Sequence, residues 1–349
     1  VALYEGGQRD AAEREMTLAV SHDETLAPYK QLSSNYDQRL GPAAVGPAQS
    51  LRPPDEDRRW NLSFLMGVEY DTNVPQSPTF SGLGSNFDRE DSRVVLGLFG
   101  DYRFIQEADQ VVGVFGSTYT NHNFDITEFD VQTYSGGAYW NFATDDWVFG
   151  VNYQFGETLL DTEHFAATHR LTPSITRRWG DSGHTTAYYE FEDLELDALA
   201  LIPAQVRSGK TNAVGVTQAF YIGPQNLGRM FFGYRFTNVA TAGSDFDMTG
   251  NMLNARVEYP VFQDVVFDAE ARVFIDDYRT ANSLDFFDRS REDQRVEVRT
   301  GVQKYFTDQV SMRLDYTFVE SDSNVANLFG VEFYSYRRHV VSALLIYDF

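Results

Sequence analysis

A net charge of −23 over 349 residues, from 51 acids against 28 lysines and arginines, argues against a nucleic-acid partner, because phosphate binding needs a basic face. The 28 Phe, 20 Tyr and 4 Trp, set beside a negative mean hydropathy, suit strands with one apolar and one polar face better than a soluble helical protein. Without cysteine the chain has no disulfide framework, thiolate metal site or thiol nucleophile, and no run approaches the ~18 apolar residues of a membrane-spanning helix.

Residues 1–58 differ from the rest. GGQRDAAEREMTLAV places Ala11, Ala12 and Met16 at helical spacing, and APYKQLSSNYDQRL does the same with Tyr29, Leu32, Tyr36 and Leu40. The small residues after a glycine turn suggest part of a tetratricopeptide-like unit, a fold that needs about three repeats to bury its faces. The chain opens on Val1 inside this helical pattern, as expected of a processed or trimmed product. A linker follows in GPAAVGPAQSLRPPDEDRR, with Pro42, Pro47, Pro53 and Pro54. We therefore expect a periplasmic helical remnant and linker over 1–58, then a separate domain over 59–349.

From Trp60 the period becomes two. Trp60, Leu62, Phe64, Met66, Val68 and Tyr70 alternate with more polar neighbours. The pattern recurs from Val94 to Phe104, Trp147 to Phe155, Met230 to Phe236, Val265 to Ile275 and Val310 to Phe318. Such segments number about fourteen, each meeting the ~9–11 residues that a tilted membrane strand needs. Short turns are predicted at 107–110, 144–146, 180–183, 223–226, 262–264 and 307–309. Longer Asp- and Ser-rich links are predicted at 71–91, 157–167, 193–210, 238–247, 279–293 and 319–332. Alternating short and long connections are the mark of an outer-membrane barrel, with tight periplasmic turns and long outside loops.

Aromatics fall near strand ends at Trp60, Tyr70, Trp147, Trp179, Tyr259, Tyr316 and Tyr347, where amphipathic rings favour a lipid–water boundary. The last strand alternates Val341, Ala343, Leu345, Tyr347 and Phe349. That ending resembles the signal by which barrel-assembly machinery recognises outer-membrane proteins, so Tyr347 and Phe349 are its expected carriers. The predicted fold is an all-β transmembrane antiparallel barrel of about fourteen strands with a short α-helical N-terminal remnant. An even strand number puts both termini on the periplasmic side.

The opposite faces of the last five strands carry Arg256, Glu258, Asp268, Glu270, Arg272, Arg295, Glu297, Arg299, Arg313, Asp315 and Arg338. Opposite signs at matched heights on neighbouring strands predict cross-strand pairing. The network is read either as mutual neutralisation in a narrow lumen or as a charged constriction acting on a passenger. The first four strands show fewer charges, which predicts an asymmetric wall. Histidines at 122, 164 and 339 should lie near the outer side, with His169 and His184 at different heights of one hairpin. No motif joins any of them to a serine, so no enzyme activity, cofactor or metal centre is expected. Acidic clusters at Asp88, Glu90 and Asp91, and at Asp285, Asp288, Glu292 and Asp293, lack the spacing of a calcium loop and read as solvated charge.

GVEYDTNVPQSP, at the end of the first strand, resembles the opening of the barrel in the surface lipoprotein assembly modifier family. The order of helical stretch, proline linker, Trp60-led strand and YDTN at 70–73 is similar across nearly the whole chain, although the family's helical part is several repeats longer. The resemblance implies a fourteen-stranded barrel translocating or displaying protein or lipoprotein cargo at the cell surface. Exopolysaccharide export, solute passage through a porin, and anchoring of a periplasmic or surface complex remain alternatives. Outer-membrane lipids are the expected surroundings in each case.

Overall fold

The structure is a computed structural model. It describes residues 58–349 apart from 75, 77–89, 108, 198–201, 224–227, 263, 286, 327–331 and 333. The helical remnant and most of the linker lie outside the described residues, as do Asp88 and part of the VPQSP stretch.

Fourteen antiparallel strands close into one barrel. The first seven are β1 (Trp60–Asp71), β2 (Asp91–Gln106), β3 (Gln110–Asn123), β4 (Val131–Ala143), β5 (Trp147–Leu160), β6 (Glu163–Arg178) and β7 (Gly183–Leu196). The second seven are β8 (Gly209–Ile222), β9 (Gly228–Thr241), β10 (Met248–Phe262), β11 (Val265–Ala281), β12 (Ser290–Tyr305), β13 (Val310–Ser323) and β14 (Tyr336–Asp348). Each pairs with its sequence neighbours, and β1 pairs with β14 from Ser63↔Asp348 to Asp71↔Val340. Closure leaves no strand edge unpaired, the condition for a sheet to reside in lipid.

One predicted link is not a loop. The 157–167 segment continues β5 to Leu160 and starts β6 at Glu163. A two-residue hairpin joins them, with Asp161 and Thr162 at φ 47° and 68°. Positive φ at both central positions gives a turn whose twist matches the strands, and the Asp161 N–H donates to the Asp130 carbonyl. The other long links keep their places but are shortened by strand extension, and single 3-10 turns form at 127–129, 203–205 and 244–246. Arg58 and Phe349 lie together at the short-turn end, where the Phe349 N–H donates to the Leu62 carbonyl and Arg58 holds the Phe349 carbonyl.

The period-two sorting puts the apolar set outside. Trp60, Met66, Val68, Tyr70, Leu96, Leu98, Leu314, Tyr316, Val341 and Leu345 are all exposed on the outer face. This surface is too large and too apolar for a water-soluble exterior. Trp60, Trp147, Trp179, Tyr347 and Phe349 lie towards the short-turn end and Tyr70 towards the long-link end, while Tyr316, expected near a strand end, sits mid-strand in β13. Leu96 pairs with Met66 about midway between those rows. Leu96→Arg should therefore cost about 2–4 kcal/mol, the penalty for a cation near the bilayer midplane. Phe124→Arg, beyond the end of β3, should cost close to nothing. Urea unfolding in lipid vesicles compares the two, and equal costs would refute a lipid-facing belt at Leu96.

Candidate functional site: a charged lumen closed at one end

Residues on the inward face alternate with the lipid-facing set and differ in accessibility along the barrel. Towards the long-link end, Asp71, Glu69, Arg93, Val95, Asn121, Asn123, Glu297, Val319, Tyr336 and Arg338 are buried. Towards the short-turn end, Ser63, Leu65, Phe99, Arg313, Arg299 and Gln303 keep part of their surface accessible. Inward side chains are on the whole more deeply buried towards the long-link end than towards the short-turn end, where Asp268 and Ser311 are buried among partly accessible neighbours.

Most of the predicted lumen charges come together, but often along one strand instead of across two. Arg256 pairs with Glu258, Arg272 with Glu270 at 2.8 Å and Arg295 with Glu297 at 3.2 Å. Residues i and i+2 share a face, and the long arginine side chain reaches along the wall to its own neighbour. Cross-strand contacts link these pairs: Arg272 lies 3.9 Å from Glu297. The densest group surrounds Asp268, with Arg313 at 2.5 Å, Arg299 at 3.5 Å and Asp315 held by Arg313 at 2.6 Å. Gly301 makes room for it, since a Cβ there would fall 2.5 Å from both Arg313 and Asp315.

Arg338 does not join that network. It is 1% exposed and pairs at 2.5 Å with Asp71, which is fully buried, across the β1–β14 seam. Arg93 adds 2.8 Å to Glu69 and 3.5 Å to Asp71. The first strands carry fewer charges than β10–β13, but β1 and β2 hold a buried ion cluster of their own, and Arg103 pairs with Asp101 at 3.4 Å lower down. A further group was missed, with Arg170 on Glu192 at 2.5 Å and Arg235 on Glu190 at 2.6 Å. The period-two position of Glu190 and Glu192, alternating with Tyr189 and Phe191, was the available signal.

The YDTN stretch belongs to this seam. The Asn73 N–H donates to Asp71, the Asn73 amide donates to the Arg337 carbonyl, and the His339 N–H donates to the Thr72 hydroxyl. Its residues tie the top of the first strand to the last, which is reason enough for an Asx-type turn there.

Described residues of several long links pack inward over the more deeply buried half. Val74 and the Ile126–Phe129 turn bury against each other, and Asp91 accepts from the N–H groups of Asp125 and Ile126. Leu284, in the β11–β12 link, packs both on Val131, Phe165 and Ala166 of β4 and β6 and on Val325 and Tyr334 of the β13–β14 link. β5 and β12 are diametrically opposed in the ring of fourteen, so Leu284 spans the mouth. Asp285 fixes it there, accepting from Arg289 at 2.8 Å and from the Ala326 N–H at 3.1 Å. Burial alone would raise the Asp285 pKa. The guanidinium and backbone N–H of Arg289, with the Ala326 N–H, outweigh burial and hold it at about 2. Asp245 of the β9–β10 link adds an acceptor for the Ser283 N–H at 3.1 Å.

The reading of the acidic clusters as solvated charge is corrected at three positions. Asp91, Asp285 and Asp293 are buried and partnered, Asp293 by Arg291. Arg291 also stacks on Tyr278 and Tyr334, 4.5 and 3.3 Å from their ring centroids. His122 and His164 contact Asp130 and Asp197 near the long-link end. His169 and His339 contact Tyr153 and Tyr316.

A closed ring of fourteen strands with an apolar, aromatic-bounded exterior and a charged interior defines a bacterial outer-membrane β-barrel. No family model matches the chain, and no curated protein matches it. Similar solved structures include OpdQ of Pseudomonas aeruginosa (10% identity, TM-score 0.41, covering 83% of this chain and 97% of that one). Others are OccAB4 of Acinetobacter baumannii (9%, 0.42, 85% and 100%) and the outer membrane channel DcaP of the same organism (11%, 0.45, 83% and 97%). At these values the likeness is one of general barrel architecture. The resemblance to the surface lipoprotein assembly modifiers rests on the residues quoted for it alone.

Proposed function

We infer that the barrel is a channel for small solutes, entered by a vestibule at the short-turn end, which faces the periplasm, and closed towards the outside by its inward-folded links. The observation that carries this reading is the contrast between the two halves of the lumen. A packed outer half with buried ion pairs leaves no passage for a polypeptide, whereas moving a few links would admit a small polar molecule. Solute passage is therefore favoured over translocation of protein or lipoprotein cargo. The charges of β10–β13, held mostly in i, i+2 pairs along one strand, form a wall that selects by sign and size. Their selective role, the boundary role of the outer aromatics and the recognition of Tyr347 and Phe349 by assembly machinery belong to this same reading.

Swelling of proteoliposomes in isotonic solutes of graded size tests it. Slow uptake of glycine or arabinose without uptake of raffinose is expected, and uptake should quicken when the 282–289 link is shortened. Failure of every solute to enter, with the shortened link as well, would overturn the reading.

A further inference from the structure

We propose that the vestibule takes anionic solutes, with Arg299 and Arg256 forming a binding point for a small oxyanion. The inference rests on the channel reading and adds to it the class of solute. The chain as a whole is strongly acidic, so bulk charge would suggest the opposite preference.

The wall sorts its charges by depth. In the Arg299–Asp268 pair the two side chains are 32% and 6% exposed, and in Arg256–Glu258 they are 29% and 16%. Arg313 and Asp268 show 19% and 6%, and Arg235 and Glu190 show 16% and 3%. Each carboxylate sits on a short stem close to the backbone, while the guanidinium on its longer stem reaches past it. A solute therefore meets arginine first, although the pairs are neutral in sum. Field lines in a low-dielectric wall make that surface sign matter more than net charge.

Arg299 and Arg256 are more accessible than Arg272, Arg295 and Arg313 of this wall. They share a height, since Arg256 is in register with Glu270 and Glu270 with Arg299. The intervening Glu270 is engaged by Arg272 at 2.8 Å. Arg313 takes both oxygens of Asp268 at 2.6 and 2.5 Å, which leaves Arg299 only a 3.5 Å contact with that carboxylate. The Nε atoms of Arg299 and Arg256 are buried and, like those of Arg235 and Arg295, have no hydrogen-bond partner among the described residues, and each guanidinium meets its carboxylate through one terminal nitrogen. Two partly accessible guanidiniums at one height, on β10 and β12 with Glu270 of β11 between them, offer terminal nitrogens to a carboxylate or a phosphate, which bind arginine through two oxygens. The shared chemistry is that of a small oxyanion.

Reversal potentials across a salt gradient in planar bilayers, with the wild type and with a Leu284→Asp variant that loosens the mouth, provide the test. Anion preference in potassium chloride is expected, with chloride current blocked by added acetate or phosphate. The double change Arg256→Gln, Arg299→Gln should lose both preference and block while keeping heat-modifiable migration of a folded barrel. Block by both anions identifies a general oxyanion point, and block by one alone narrows it to carboxylates or phosphates. Cation preference, or a double variant unchanged from its parent, would overturn this inference and leave the channel reading standing. Anion preference without block by either anion would overturn the binding point. No current in any background would remove the channel reading and this inference with it.

Discussion

Arg338→Met destabilises the folded barrel by about 3–5 kcal/mol, the usual consequence of leaving one member of a buried ion pair alone. Asp71 is fully buried, so its carboxylate cannot be rescued by water. Arg93 remains 3.5 Å away and holds the loss towards the lower end of that range. The substitution acts at the one place where closure joins chain segments far apart in sequence, β1 to β14. The double change Asp71→Leu, Arg338→Met should recover much of the loss, because replacing a buried pair by apolar groups costs far less than breaking it. Urea unfolding in lipid vesicles measures both. Equal stability of the single variant and the wild type would show that backbone pairing alone holds the seam.

Leu284→Asp opens the mouth. Leu284 touches apolar clusters on two opposed parts of the barrel and is half-buried, so moving it to water costs about half of the ~1.5–3 kcal/mol of a fully buried leucine. A charge placed there adds a desolvation penalty in the closed arrangement. Since each 1.4 kcal/mol is about tenfold, the open-to-closed ratio should rise by roughly three- to tenfold from the lost leucine and further from the charge. Longer and more frequent single-channel openings would report this, and recordings identical to those of the wild type would show that Leu284 does not close the mouth. Acidification provides an independent check. The Asp285 pKa is lowered to about 2 in the folded protein, against about 3.9 for a free carboxylate. A depressed folded value means that the tie is fully present above about pH 4 and is lost as pH falls through about 2. The wild-type mouth should therefore stay shut at pH 4, whereas Asp285→Ala should loosen it at neutral pH by removing the acceptor for Ala326 and Arg289.

The amino-acid sequence by itself determined the barrel, because the deciding signal is local. Alternation from Trp60 to Tyr70 or from Val341 to Phe349 sorts side chains to two faces whatever lies elsewhere in the chain. Strand number, the side of each short turn and the inward set from Arg256 to Asp315 follow from that period. Only the tertiary structure decided which inward charges meet. Asp71 and Arg338 are distant in sequence and become neighbours when the ring closes, and the stagger of β11, β12 and β13 chooses Arg313 over Arg299 for Asp268. The mouth was equally out of reach. Leu284 and Asp285 look like ordinary link residues, and their burial depends on links from opposite walls arriving at one place, a condition set by closure geometry and absent from any window of sequence.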